Sequence, residues 1–190
     1  MRTRRLILAL ALCPLVAAGP AASAELSPAG LWQAVDDSTK EPTGWFLISD
    51  HDGVFDGIIA KMFLKPGEDP NAVCDQCKDD RYNHPWLGLE FIRGMRPESD
   101  SKYAGGTILD PRDGKVYKAT MTVSPDGQTL TVRGYIGIEL LGQNQYWTRL
   151  PDSAYSVLDP SVLPNPPLGP NAAAPVKRPL APRPPNAAGR

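Results

Sequence analysis

The chain has 190 residues, with 20 lysines and arginines against 21 aspartates and glutamates, a formal net charge of −1, and 42% apolar side chains. That balance excludes the strongly basic surface of a sequence-independent nucleic-acid binder, while the apolar fraction suffices for one buried core. The charge is uneven: residues 25–150 carry 19 acidic and 13 basic side chains, a net of −6.

In chain order, residues 1–24 come first and read as a leader. A basic start, "MRTRR", precedes the apolar run "LILALALCPLVAAG" and the small residues "ASA". This layout predicts a secretory signal peptide cut after Ala24, and a mature protein that is periplasmic or secreted. The run is short for a membrane span and is interrupted by Pro14. Leu12 stands before Cys13, where a lipoprotein signal needs a small residue.

Residues 25–150 read as one all-β domain. Short segments rich in β-branched and aromatic side chains predict strands at about 30–36, 43–50, 54–64, 86–94, 102–109, 115–123, 128–138 and 143–150. Asp-Gly pairs at 52–53, 113–114 and 126–127 mark hairpin turns between them. In "KVYKATMTV", Tyr117, Ala119, Met121 and Val123 share one face. In "QTLTVRGYIGI", Leu130, Val132, Ile136 and Ile138 share one, with Thr129, Thr131, Arg133 and Tyr135 on the other. Period-two patterning on successive hairpins predicts an antiparallel sheet. Eight strands in meander order would close into an up-and-down barrel without exposed edges.

Between the third and fourth strands lies "NAVCDQCKDD". Three chemistries share the spacing of Cys74 and Cys77. In an exported chain with two mature cysteines a disulfide is the default, pinning a local turn. A redox pair would need the first cysteine at a helix N-terminus, and the flanks read as loop. Zinc needs about four ligands, and only His84, Asp75, Asp79 and Asp80 could join the sulfurs. Glu68, Asp69 and the neighbouring aspartates show no regular calcium-loop spacing.

Catalysis has little to draw on. The mature chain holds only His51 and His84, and no GxSxG elbow, HExxH or phosphate-cradling glycine loop is present. The expectation is a protein without catalytic residues, cofactor or metal. Arg133, Tyr135 and Trp86 are the candidate ligand contacts. An arginine turned into a cavity would bind a carboxylate; turned outward it is solvated or paired with a surface acid.

From Pro151 to Arg190 the chain holds 11 prolines in 40 residues, with Lys177, Arg178, Arg183 and Arg190 against Asp152 and Asp159. Proline removes backbone donors, so 151–190 is expected to be a disordered tail without a core. Its charge would suit contact with cell-envelope polymer or an anionic surface.

"GLW" (Gly30, Trp32) on the first strand and "YWTRL" (Trp147, Arg149) on the last resemble the barrel-closing pair of lipocalins, where a basic side chain stacks on a tryptophan. Across residues 28–150, "GLW", "CDQC", "LGLE", "YAGGTILDPRDGKVY", "LTVRGYIG" and "YWTRL" occur in the order seen in the bacterial domain of unknown function 2147 family. That resemblance implies a small, exported, lipocalin-like barrel, with the cysteine loop a recurring part of it. The functional expectation is a non-catalytic binding protein holding a small, apolar or amphipathic ligand in or at the mouth of the barrel. The alternatives are an envelope interaction protein acting through its tail, and a redox helper using Cys74 and Cys77.

Overall fold

The structure is a computed structural model that describes residues 26–163. Eight strands run antiparallel: β1 (Gly30–Val35), β2 (Pro42–His51), β3 (Val54–Met62), β4 (Glu90–Pro97), β5 (Lys102–Asp110), β6 (Lys115–Val123), β7 (Thr129–Tyr135) and β8 (Gln143–Arg149). Each pairs with the next, and β8 returns to β1 through Trp32 opposite Arg149 and Ala34 opposite Trp147. The sheet is therefore the closed up-and-down barrel that the alternation predicts. At the β2–β3 hairpin, Asp52 and Gly53 both have positive φ (56° and 82°), the geometry that matches hairpin twist.

Two predicted strands depart from their expected bounds by three residues or more. β4 begins at Glu90, not 86, because Gly88 turns the chain with φ +83°, and residues 86–89 stay in the loop. β7 stops at Tyr135. Beyond it Gly137 takes φ +76° and a 3-10 turn, Glu139–Leu141, carries the chain to β8. Ile136 and Ile138, expected on the buried face, thus leave the sheet and stand exposed.

Register explains the core. Trp32, Phe46 and Ile59 lie opposite one another across β1–β3, and Ala34, Trp147 and Leu130 across β1, β8 and β7. These side chains, with Ile48, Ile92, Met95 and Met121, belong to one continuous core inside the barrel. A large apolar side chain so buried is worth about 1.5–3 kcal/mol before the entropy of ordering it is subtracted.

A second apolar cluster sits outside the sheet, where Leu31, Leu47 and Ala60 are covered by Leu158 and Val162. This corrects the expected start of the tail. Residues 151–163 form two 3-10 turns, Asp152–Val157 and Pro160–Val162, that pack on the barrel wall. The prolines suit such turns, since the first turn of a helix needs no N–H from them, and the aliphatic residues between them remain free to be buried. The predicted leader and residues 164–190 of the predicted tail lie outside the described residues.

One end of the barrel is sealed. Leu26–Ala29 cross beneath it, with the Tyr103 hydroxyl donating to Leu26 O (2.9 Å) and the Trp32 indole N–H to Pro28 O (2.8 Å). The Arg149 guanidinium lies 4.1 Å from the Trp32 ring centroid. It donates to Gly127 O (2.6 Å), Ala29 O (2.8 Å) and Ser27 O (2.7 Å). One planar fork thereby ties the last strand to the entering segment and to the β6–β7 turn. A Cβ on Gly30 would sit 2.6 Å from the guanidinium, which is why the residue two before Trp32 has no side chain.

Candidate ligand site at the barrel mouth

Above the packed layers the barrel stays open. A cavity of about 800 Å³ enters at the end where β1 leaves and β8 begins. Its depth is lined by Ala34, Phe46, Ile59, Phe91 and Val132, which the strand register brings together, and by Trp86 from the long loop. Phe46 packs against Trp147 (4.5 Å between ring centroids) and Phe91 (4.8 Å), so the cavity rests on a layer of aromatic rings. Polar groups are also present: Tyr117, Gln143 and Gln145 lie in the wall, where Gln145 Oε1 accepts from the Trp147 indole N–H at 3.1 Å. Asp36, Lys65, Glu68, Asp110 and Arg112, from strand ends and the flanking loops, join the lining. A chamber of a few hundred to a thousand Å³ with an apolar floor and polar groups around it can enclose one small molecule.

Residues 63–89 form one side of this mouth. Cys74 and Cys77 are joined in a disulfide, and both are buried. Around it the backbone closes on itself, with Cys74 N–H donating to His84 O (2.9 Å) and Trp86 N–H to Ala72 O (2.8 Å). The bridge is a staple within a folded loop, set against Pro111 of the β5–β6 turn, whose carbonyl lies 3.6 Å from Cys74 Sγ. Among the described residues, no group of three or more His, Cys, Asp or Glu is placed to hold a metal.

Four acids of the loop have local partners. Glu68 accepts from the Lys65 N–H and Asp69 from the Asn71 N–H. Buried Arg81 bonds Asp79 through its side chain and Glu90 O through its Nη1 (3.2 Å). Asp80 grips Arg93 with two 2.8 Å hydrogen bonds. The hydrogen bond from Arg81 pushes the Asp79 carboxyl from 3.8 down to about 2. At the rim, the Ser38 hydroxyl and the Thr39 and Ser38 N–H groups hold the Asp36 carboxyl far below its ordinary value.

A pH dependence follows. Because the folded Asp79 pKa lies below the unfolded one, its stabilisation is complete above 3.8 and is lost as pH falls toward about 2. Asp79→Asn should therefore flatten the fall in melting temperature over that interval while lowering it at neutral pH. A wild-type acid limb that Asp79→Asn leaves unchanged would remove the loop ion pair from the account.

The candidate ligand contacts fare differently. Trp86 lines the cavity, and Tyr135 stands at its rim. Arg133 does not face the cavity. Its neighbours Leu130 and Val132 point inward, so alternation sends Arg133 out. There it donates from Nε to Glu139 O (2.8 Å), from Nη2 to Leu140 O (2.9 Å) and from Nη1 to Asn144 Oδ1 (2.6 Å). Of the barrel-closing set, Gly30, Trp32 and Arg149 meet at the floor, whereas Trp147 lies higher, in the aromatic layer under the cavity. His51 and His84 are both exposed, and neither lines the cavity. Phe46, Ile59, Phe91, Gln143 and Gln145 were not among the expected contacts. The two glutamines share the parity of Trp147, and that was the available signal.

Comparison with known proteins agrees with this architecture. The family described as "Uncharacterized protein conserved in bacteria (DUF2147)" matches residues 30–149, and the chain belongs to it. No curated protein matches in sequence. Among solved structures, protein HP1028 from the human pathogen Helicobacter pylori, described as belonging to the lipocalin family, is similar at a TM-score of 0.58 and 18% identity. The likeness covers 69% of this chain and 89% of that one, and it extends to the fold.

Proposed function

We propose that this DUF2147 member is a non-catalytic binding protein that holds one small, partly apolar molecule in the mouth of its barrel. The observation that carries the reading is the cavity itself. It is open at one end, closed at the other by the Arg149 clamp, and lined by aromatic and aliphatic side chains together with amide, phenol and charged groups. Such a lining favours a ligand with an apolar body and a polar end.

Gly134 provides the test. It lies on the inward face of β7 in the cavity wall, and a Cβ there would meet only ordinary contacts, Ile108 at 3.4 Å and Tyr117 at 3.7 Å. Gly134→Leu should fill the chamber without breaking the barrel. We expect the neutral probe N-phenyl-1-naphthylamine to bind the wild type saturably at one site. In Gly134→Leu its affinity should fall at least tenfold, with the melting temperature changed by only a few degrees. A wild type that never saturates, or a variant that binds equally well, would sink the reading.

A further inference from the structure

The β7–β8 connection carries an apolar surface that the barrel does not use. Ile136, Ile138, Leu140 and Leu141 are 69%, 61%, 81% and 75% exposed, within six residues of one another. Four such side chains in one short loop exceed the scattered surface aliphatics of an ordinary monomer.

The loop is also held in shape. Arg133 grips the carbonyls of Glu139 and Leu140, and Gly142 N–H closes the turn onto Glu139 O (2.9 Å). The Glu139 carboxylate, the only acid in the loop, is occupied by the Thr120 hydroxyl (3.1 Å) and the Lys102 ammonium (3.4 Å). A buried cost is thus avoided for the one charged side chain, while the aliphatic ones are displayed to solvent.

The surroundings state which partner fits. The three strands behind the loop, β6, β7 and β8, contain no acidic residue, although the domain as a whole is acidic. At the lip's end of the barrel they carry Lys118, Arg133 and Lys115, the last bridged to Asp113. Lys118 is exposed directly across from Tyr135. Tyr146, also exposed, stands on the outer face of β8 with its hydroxyl near Asn144 (3.2 Å). Aliphatic tips ahead, a tyrosine set behind them and cations on the flanking sheet match a bilayer surface: acyl chains, then the interfacial layer, then anionic headgroups.

We propose that the 136–141 lip docks on an anionic lipid bilayer. Ile136 and Leu141 belong to the cavity rim as well as to the lip, so docking sets the open mouth against the lipid. The inference stands whether or not the cavity holds a ligand.

The test is flotation of the full chain with vesicles of phosphatidylethanolamine and phosphatidylglycerol. Wild type should float with them, and at least tenfold less with phosphatidylcholine vesicles. Leu140→Asp should cut the floating fraction at least tenfold, and Lys118→Glu, which leaves the lip intact, severalfold. Val157→Asp places the same charge at an exposed aliphatic on the C-terminal segment and should change nothing. Near-ultraviolet circular dichroism checks that each variant keeps its packed aromatic core. A wild type that stays at the bottom of the gradient overturns the proposal, as does equal flotation on neutral vesicles or by Leu140→Asp. So does a free protein that sediments as a dimer until Leu140→Asp dissociates it, since the lip would then join two copies.

Discussion

Arg149→Ala should lower stability by about 3 kcal/mol. The substitution removes three charge-assisted hydrogen bonds to Ser27, Ala29 and Gly127 and the guanidinium stacked on Trp32. Each such bond is worth roughly 1.5 kcal/mol or more, and the stack about 1. Arg149 is only partly buried, so water can reach some of the abandoned carbonyls, and the sum is discounted accordingly. For a domain of this size the melting temperature should fall by roughly 10 °C. Burial lowers the Arg149 pKa, yet an arginine so displaced remains protonated at any ordinary pH, so the loss should not depend on pH between 5 and 9.

Arg149→Lys separates the two contributions. Lysine keeps the charge near Trp32 but replaces the planar fork with one ammonium, which cannot reach three diverging carbonyls together. It should recover less than half of the loss. Recovery by lysine to wild-type stability would mean that charge alone closes the floor. A change of less than about 1 kcal/mol in Arg149→Ala, read from denaturant unfolding, would mean that the barrel does not depend on the clamp.

The floor was readable in the sequence because its chemistry is local to two short motifs. A glycine two residues before a tryptophan and an arginine at the end of the last strand resemble the barrel-closing pair of lipocalins, and that resemblance implied the stack. The partners of the fork were not readable, since they are backbone carbonyls whose positions only the fold supplies. The strands themselves followed from alternation, and Tyr117, Ala119, Met121 and Val123 do share a face. Alternation failed at strand ends. Opposite Trp45 and Phe46, β3 inserts an extra residue, so that Ile59 and Lys61 face opposite sides although two positions apart. At 136–141 the pattern ran on past the end of the sheet into the exposed lip. Arg133 shows a different limit: its own neighbours placed it outside, and its partners are the carbonyls that shape that lip. Residues 151–163 were taken for tail because they open the proline-rich run 151–190. Yet only Pro151 and Pro160 fall within them, and two aliphatic side chains, Leu158 and Val162, fasten them to the wall.

Gly114→Ala should be the most damaging single-methyl change at the mouth. Gly114 lies in the β5–β6 turn with φ +67°, and a Cβ there would stand 1.9 Å from Gln76 O and 2.9 Å from Cys77 N. Those are backbone atoms of the disulfide loop, so no side chain can rotate aside, and the hairpin and loop must part. Gly127 supplies the comparison. It follows an aspartate in the β6–β7 turn with φ +70°, but nothing lies within 4 Å of the position its Cβ would take. Gly127→Ala therefore carries only the left-handed backbone penalty of about 1–2 kcal/mol. Gly114→Ala carries that penalty and the separation of two packed segments, and should lose at least about 2 kcal/mol more. The two variants should also differ at the cavity. Trp86 belongs to the loop that Gly114 seats, so Gly114→Ala should weaken binding of N-phenyl-1-naphthylamine while Gly127→Ala leaves it unchanged. Equal stability losses would show that the contact across Gln76 yields easily. Intact probe binding in Gly114→Ala would show that the disulfide loop holds its shape, and its wall of the mouth, without the hairpin beneath it.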